Sequence, residues 1–441
     1  MTMAWGVSQG IDDIVERLER NDESLTSLYL MRQRRFNEED ARLLSNALSR
    51  NSTLVELNLS SHSIDTGMAK TLADGLQKNT SIKYISIGNS SFGDDAMMEL
   101  CACLSGKSTI ETLDIERKGI TERSASSLCS AIRESGSVKH VIVSNNTLNE
   151  GLVDFSPCMP GLESIALHNC GLHHQVASEA VAKGLMEATS LGSLELDGNR
   201  LEYTNAQIIS TGLKSCSSLE RLSLNDNPLG ARGVNAISYA LPQSLRRLDL
   251  GSTKASNDGI KSIIEMISQG RLPNLTYLNI CGCDVDGQAI SGIMDAVSES
   301  RISLSLDAGG NPLGANETQS LFESLIRCKT LESLRLHGCG IGGVGARTLA
   351  QSVNTSENEE HHLKDLDISG NGIDEASMLE FLDKLPDIVS STFTNMTSLI
   401  IAANPDVQDE RISKVVESLA SHDATHRVVI MRAASDSNQH G

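Results

Sequence analysis

Acidic side chains recur at one place in a repeated apolar phrase, and this spacing makes them the candidates for binding chemistry. Between the second and third apolar residues, the phrase carries five acids and one base: Asp114, Glu195, Asp249, Asp307, Arg335 and Asp367. Two residues further on lie Glu116 and Asp197, with His168, Asn225 and His337 at the same place in other copies. A row of carboxylates speeds encounter with a basic partner and makes binding sensitive to salt. The alternative is that strand faces of an acidic protein carry acids whatever their function.

A glycine motif, Gly338-x-Gly340-x-x-Gly343, matches the dinucleotide-binding fingerprint and falls between a predicted strand and a predicted helix. Another copy of the phrase places Asn-Pro-Leu-Gly at the same point, in residues 227–230, so the glycines serve a recurring turn. No doubly wound sheet is predicted that could hold a dinucleotide. Phosphate-loop, nucleophile-elbow and zinc-protease signatures do not occur in the sequence. We therefore predict no cofactor and no catalytic residue.

Cysteine and histidine pairs are the candidates for metal binding. The pairs Cys101/Cys103 and Cys281/Cys283 have C-x-C spacing, and no second pair completes a zinc-site pattern. In the adjacent pairs His173-His174 and His361-His362 the side chains should diverge, and we predict solvated loop histidines. We predict no metal site and ten reduced cysteines, several of them small buried groups.

One apolar pattern predicts the elements that position these residues. The phrases that begin at Leu54, Ile82 and Ile110 start 28 residues apart, and the pattern runs through fourteen repeats. Neighbouring strand residues point to opposite faces, whereas apolar pairs four residues apart, such as Leu72/Leu76, share one helix face. Each repeat is thus a strand, a turn and a helix that can bury its apolar face only against the next repeat.

A short polar group follows the third apolar position of the phrase by three residues. In that place lie Asn146, Cys170, Asn199, Asn227, Thr253, Cys283, Asn311, Cys339, Asn371 and Asn404. We expect these side chains to satisfy backbone groups left bare where the strand turns away.

The phrase Leu219-x-x-Leu222-x-Leu224-x-x-Asn227-x-Leu229, followed by Gly-Ala and a helix, resembles the leucine-rich repeats of the ribonuclease-inhibitor type. The resemblance covers roughly residues 25–430. It implies an α/β fold, a right-handed solenoid or horseshoe of about fourteen repeats, with a concave parallel sheet and convex helices. The acidic row would then line the concave side. Because many unrelated functions share this repeat class, the resemblance implies protein binding without naming a partner.

The chain has a net charge of −20 and a sequence pI of about 5.0, which argues against nucleic acid and anionic membrane as general partners. No apolar run approaches the roughly 18 residues of a membrane span, and residues 1–10 lack the features of an export signal. We predict a cytoplasmic protein that binds a basic protein partner. A nuclear or cytoskeleton-associated location and the oligomeric state stay open.

The repeat predicts one elongated domain with two distinct ends. Residues 1–24 are expected to form a helical cap, residues 25–432 the solenoid, and residues 433–441 a disordered tail. The repeat at 138–161 is short and has prolines where its helix should run. The long repeats at 331–395 contain two predicted insertions, residues 354–362 and residues 386–395. A last helix is predicted at 412–419 and a closing strand at 428–431.

Two classes of function fit this pattern. The leading hypothesis is a non-catalytic scaffold or adaptor that wraps a protein partner with its concave surface. The alternative is regulation of an enzyme, as a Ran-type GTPase activator or as an enzyme inhibitor. Ran activators carry a strongly acidic tail, whereas residues 435–441 are only weakly acidic, and Arg34, Arg35 and Arg117 lack the surroundings of that family's basic residue. An immune sensor would add a nucleotide-binding domain, so a free-standing adaptor, or a subunit of a ciliary or cytoskeletal complex, is favoured over a sensor.

Overall fold

The computed structural model describes residues 10–104, 108–351 and 361–404, together with Glu410, Lys414 and residues 429–431. Most of the predicted last helix, the tail and most of the polar segment at 354–362 lie outside these residues. The chain divides into two compact units. The first comprises Met1–Leu201 with Ile208–Leu219, and the second comprises Glu202–Gln207 with Glu220–Gly441.

The first unit contains strands that pair in parallel, each with the next along the chain. They are β1 (Ser27–Tyr29), β2 (Glu56–Leu59), β3 (Tyr84–Ile87), β4 (Thr112–Asp114), β5 (His140–Ile142), β6 (Ser164–Ala166) and β7 (Ser193–Glu195). Its helices are α1 (Asp12–Glu19), α2 (Glu38–Leu48), α3 (Thr66–Leu76), α4 (Gly93–Leu100), α5 (Glu122–Ser135) and α6 (Gln175–Glu187). Helix α7 (Tyr203–Leu213) has residues assigned to each unit.

The second unit repeats the arrangement, again with parallel neighbours. Its strands are β8 (Arg221–Ser223), β9 (Arg247–Asp249), β10 (Tyr277–Asn279), β11 (Leu304–Asp307), β12 (Leu331–Arg335), β13 (Asp365–Asp367), β14 (Ser398–Ile400) and β15 (Val429–Met431). Its helices are α8 (Gly230–Ser238), α9 (Ser256–Ser268), α10 (Gly287–Ser300), α11 (Ala315–Arg327), α12 (Gly342–Gln351) and α13 (Glu375–Ser391).

The core of each repeat lies between the strand and the helix that follows it. Leu113 of β4 is buried, as are Leu128 and Ile132 on one face of α5, whereas the strand neighbours of Leu113 are only half-buried. This alternation is what a period of two in the strand and a spacing of four in the helix require. The predicted α/β leucine-rich repeat solenoid, with its parallel sheet, is confirmed.

Several helices have an aspartate as their N-terminal cap. The carboxylates of Asp65, Asp286 and Asp374 each accept a hydrogen bond from the backbone N–H three residues later, at the start of α3, α10 and α13. Such a cap satisfies one of the donors that the first helical turn leaves unpaired.

The polar position after each strand forms a ladder of buried hydrogen bonds, which we call the turn ladder. Asn311 Nδ2 donates to the carbonyls of Ile280, 2.9 Å away, and Ala308, 3.0 Å away, while its Oδ1 accepts from the N–H of Cys283 at 2.9 Å. Cys283 Sγ in turn donates to the carbonyl of Leu250 at 2.9 Å. These side chains pair backbone groups of neighbouring repeats that would otherwise be buried without partners.

Two segments depart from the regular repeat. Residues 138–161 contain the 3-10 helices Asn149–Phe155 and Met159–Gly161 in place of an α-helix. Within the predicted insertion at 386–395, the chain is helical at first, because α13 continues through Pro386 to Ser391. Proline removes one helical hydrogen bond, at a cost of about 3 kcal/mol. Burial of Leu385, Ile388 and Val389 on both sides of the proline offsets that loss.

The predictions for the adjacent histidine pairs were wrong in two respects. His361 is fully buried, its Nε2 donates to the carbonyl of Ile326 at 2.8 Å, and its ring meets Phe393 edge-on. Burial lowers the pKa of His361 to about 4, so the imidazole is neutral. The rings of His173 and His174 do not diverge, since their centroids are 4.2 Å apart.

Within the described ranges, no helix is long and apolar enough to cross a membrane.

Candidate binding surface on the sheet

The residues that alternate with the buried strand positions form a surface that we call the open sheet face. In the first unit, Asp114, Ile142, Ala166 and Glu195 stand opposite one another on β4 to β7. Two apolar residues therefore separate the predicted acids in this row. Glu116 and Asp197 follow two residues after Asp114 and Glu195, and both are partly exposed.

His168 is bound by two of the predicted acids of the first unit. Its Nε2 lies 2.9 Å from Glu195 Oε2, and its Nδ1 lies 3.3 Å from Asp197 Oδ2. Hydrogen bonds to Asp197 and then Glu195 raise the pKa of His168 to about 9, against the opposing effect of burial. At neutral pH the ring therefore carries a positive charge that partly neutralises this pair of carboxylates.

The other two acids of the first unit accept hydrogen bonds from neighbouring repeats. The Tyr84 hydroxyl donates to Asp114 Oδ2 at 2.8 Å, and Asn145 Nδ2 donates to Glu116 Oε1 at 2.9 Å. Arg117 Nε is 3.4 Å from the same Glu116 oxygen, but both side chains are exposed enough for water to screen the pair. Their contacts orient the two carboxylates on the face.

A pocket with a volume of about 240 Å³ opens on this face between β4 and β7. Ile142 and Ala166 contribute apolar surface, and Glu116, His168 and Glu195 line it with charged groups. An apolar floor with carboxylates at its edge suits a side chain that has an aliphatic stem and a cationic end. Lysine and arginine are the side chains of that kind.

Lys118 is a charged residue of this region that was not among the predicted site residues. It occupies the turn-ladder position of its repeat, where later repeats have Asn, Cys or Thr. Only 2% of Lys118 is exposed, and its Nζ donates to the carbonyl of Gly88 at 2.6 Å and to Ser86 Oγ at 3.3 Å. Burial lowers the pKa of Lys118, while Asp114 and Glu116 act in the opposite direction. The 28-residue period was the available signal, since it assigns residue 118 to a buried position.

In the second unit the predicted site residues lie in one row of the sheet. An arginine side chain lies beside each of two acids. Asp249 is buried and its Oδ2 is 2.8 Å from Arg247 Nε, while the guanidinium of Arg247 lies 3.8 Å from the centroid of the Tyr277 ring. Asp307 Oδ2 is 3.8 Å from Arg335 Nη1. Asp367, on the next strand, accepts the N–H of Ser369 at 2.9 Å.

Comparison with known proteins agrees with this repeat geometry. The family model described as Leucine Rich repeat matches residues 215–238, 327–350 and 360–381. The ribonuclease inhibitor of Mus musculus is 28% identical over 271 residues, which is 58% of this chain and 56% of the inhibitor. These matches support a leucine-rich repeat protein whose repeats are of the ribonuclease-inhibitor type. The chain spans about half the length of that relative.

Two further proteins are similar to this leucine-rich repeat protein. The NACHT, LRR and PYD domains-containing protein 5 of Homo sapiens is 25% identical over 54% of this chain and only 20% of its own length. A crystal structure of the Rad7 and Elc1 complex in yeast contains a chain with a TM-score of 0.50 and 16% identity, covering 83% of this chain and 85% of that one. At that identity the structural likeness supports the fold alone.

Proposed function

We propose that this leucine-rich repeat protein is a non-catalytic scaffold in the cytoplasm that binds a protein partner through its open sheet face. The observation that carries the proposal is the pocket over Ile142 and Ala166, with Glu116, His168 and Glu195 around it. A lysine or arginine of the partner would lay its stem on the two apolar residues and bring its charge to the glutamates. The partner is therefore expected to be basic where it contacts the first unit.

The net charge of −20 supports the same partner class, because it attracts basic proteins and repels nucleic acid and anionic membranes. The row of the second unit is a weaker attractant, since Arg247 and Arg335 lie beside Asp249 and Asp307. We propose that the second unit adds contact area and orientation, while the first unit provides the cation-binding pocket. Asp367 belongs to this second, orienting surface.

Affinity capture with three matched proteins tests the proposal. The face variant carries Glu116→Gln, Glu195→Gln and Asp197→Asn. The control variant carries Asp74→Asn, Glu179→Gln and Glu187→Gln, which are exposed helix residues, so both variants lose three negative charges. A partner should bind the wild type and the control equally. Binding to the face variant should be at least about tenfold weaker, or roughly 1.4 kcal/mol, with the larger loss at low salt.

A photo-crosslinking residue at Ala166 then identifies which part of the partner enters the pocket. Crosslinks to a segment that contains lysine or arginine would support the proposal. Equal capture by all three proteins, or crosslinks confined to acidic segments, would count against the open sheet face as the cation-binding surface. Thermal unfolding of each variant verifies that the fold is intact.

Inhibition of an enzyme is a second candidate, favoured by the similarity to the mouse ribonuclease inhibitor. Its test is a ribonuclease assay titrated with the purified chain. Stoichiometric inhibition by the wild type, reduced in the face variant, would assign the pocket to inhibition. The same samples in a single-turnover GTP hydrolysis assay with Ran test the activator alternative, which predicts faster hydrolysis.

A further inference from the structure

We propose that Cys281, Asp307 and His337 form a binding site for a divalent ion of the zinc class on the open sheet face of the second unit. Their ligand atoms all lie within 4.8 Å of one another. The proposal goes beyond the scaffold function and does not depend on it. The sequence predicted no metal site, because neither its C-x-C pairs nor its adjacent histidine pairs have the spacing of zinc ligands.

Strand register brings the three residues together. Asn279, Asp307 and Arg335 are opposite one another on β10, β11 and β12. Two residues after this row, the same three repeats present Cys281, Gly309 and His337. The cysteine and the histidine are 56 residues apart, which is twice the repeat period of 28. The middle strand, β11, therefore supplies the Asp307 carboxylate, and Gly309 follows two residues later.

Gly309 makes room for the imidazole to cross the middle strand. A Cβ atom at residue 309 would lie only 2.1 Å from His337 Cε1, so the ring lies directly over the glycine. From there, His337 Nε2 reaches to 3.7 Å from Cys281 Sγ. Any larger residue at 309 would push the ring away from the thiol.

The distance between sulfur and nitrogen fits one shared ion. Zinc binds sulfur at about 2.3 Å and nitrogen at about 2.0–2.1 Å, so two such ligands at a tetrahedral angle are about 3.6 Å apart. The observed 3.7 Å matches that separation. The three ligand atoms lie within 4.8 Å of one another, whereas the oxygen and nitrogen ligands of one zinc ion are about 3.4 Å apart, so the Asp307 carboxylate would have to approach by roughly 1 Å. Asp307 Oδ1 is 3.9 Å from Nδ1, the other ring nitrogen of His337. The N–H of Gly309 donates to that same oxygen at 3.1 Å and helps to orient it.

The donor set selects the class of ion. One thiol, one imidazole and one carboxylate suit Zn²⁺ and its substitute Co²⁺, whereas Mg²⁺ and Ca²⁺ prefer sites made of oxygen alone. On binding, the Cys281 thiol would release its proton to solvent and ligate as the thiolate. Three protein ligands leave a fourth position for water or for a group of a partner.

The neighbouring groups limit how the ion can bind. Arg335 Nη1 is 3.8 Å from Asp307 Oδ2, so the other carboxylate oxygen, Oδ1, is the one left for a metal. Cys283 takes no part, because it is buried and its thiol donates to the carbonyl of Leu250. Of the two cysteines in this C-x-C pair, Cys281 therefore lies on the open sheet face and Cys283 lies in the core. For that reason the C-x-C spacing did not predict this site.

A Co²⁺ titration of the reduced full chain in metal-free buffer tests the site. We expect one equivalent to bind with the near-ultraviolet absorption of a thiolate–cobalt bond, and Zn²⁺ to displace it. Cys281→Ser should abolish the absorption, and His337→Gln and Asp307→Asn should weaken binding at least about tenfold. Gly309→Ala keeps all three ligands but displaces the ring, and it should weaken binding by roughly 10–100-fold.

The control is Cys101→Ser, which removes a half-buried thiol of the first unit and should leave the titration unchanged. A wild-type titration without the thiolate band, or a band that survives Cys281→Ser, would overturn the proposal. If Cys281→Ser does not fold, as judged by circular dichroism, the half-exposed His337→Gln carries the test. No partner protein is present in the titration, so its result is independent of the scaffold proposal.

Discussion

The open sheet faces of the two units carry the same kind of acid but different bases beside it. In the first unit, Glu195 and Asp197 hold the imidazole of His168. In the second unit, Asp249 is paired with Arg247. An imidazole can lose its charge within an accessible pH range, whereas a guanidinium cannot. The charge of each row therefore depends on the bases among its acids, and the pair of carboxylates around His168 should make the charge of the first unit depend on pH.

The two units also differ beneath their faces. In the second unit the turn-ladder residues are short, and Asn311 and Cys283 bridge neighbouring backbones directly. In the first unit Lys118 occupies one of these positions and reaches the carbonyl of Gly88 with a long side chain. Because Lys118 has a long side chain and a buried charge, its truncation should destabilise the fold more than truncation of a short turn-ladder residue in the second unit.

The largest expected effect comes from Lys118→Ala, which removes both the buried stem and the hydrogen bond to Gly88. We expect the free energy of unfolding to fall by about 3 kcal/mol, as for other large-to-small changes in a core. Urea-induced unfolding measures the change. Lys118→Met keeps most of the volume and should cost only about 1–2 kcal/mol, through the unpaired carbonyl.

Lys183→Ala, at an exposed position of α6, is the matched control and should change the free energy by less than about 0.5 kcal/mol. Equal effects at Lys118 and Lys183 would contradict the buried role of Lys118 and remove this difference between the units.

The second expected effect is a pH dependence of stability that comes from the ion pairs of His168 in the first unit. The pKa of His168 is raised from 6.5 to about 9 in the folded chain. Its stabilisation is therefore complete below about pH 6.5 and is lost as the pH rises through about 9, with a maximum of about 3 kcal/mol. His168→Gln should remove this dependence, whereas Arg247→Gln in the second unit should leave it unchanged.

Unfolding free energies measured at about pH 6 and about pH 9.5 test this prediction, together with an NMR titration of the histidines. A His168 titration near the ordinary pKa of 6.5 would contradict the ion pairs described above.

The repeat fold could be predicted from the sequence because each strand, turn and helix is encoded within one period. Leu113, Leu128 and Ile132 are buried as their spacing requires. The helix around Pro386 could not be predicted in this way, because local propensity opposes a helix there and the burial of the surrounding residues outweighs it.

The contacts of the candidate site are harder to predict because they join different repeats. His168 and Glu195 are 27 residues apart, and Cys281 and His337 are 56 apart. The period indicates that His168 and Glu195 lie on neighbouring repeats and that Cys281 and His337 lie two repeats apart, but it does not determine which rotamers meet. The row of acids was therefore visible in the sequence, whereas their pairing with His168 and Arg247 was not.

The smallest expected effect concerns the ion pair between Arg247 and Asp249 in the second unit. Arg247 is 47% exposed at its side chain, so its pair with Asp249 is screened by water even though that carboxylate is buried. We expect Arg247→Ala to lower the free energy of unfolding by about 1 kcal/mol at most, including the loss of its stacking on Tyr277. A double-mutant cycle with Asp249→Asn measures the coupling between the two charges. Coupling above about 2 kcal/mol would mean that the arginine supports the second unit as strongly as His168 supports the first, and the two faces would then differ only in their response to pH.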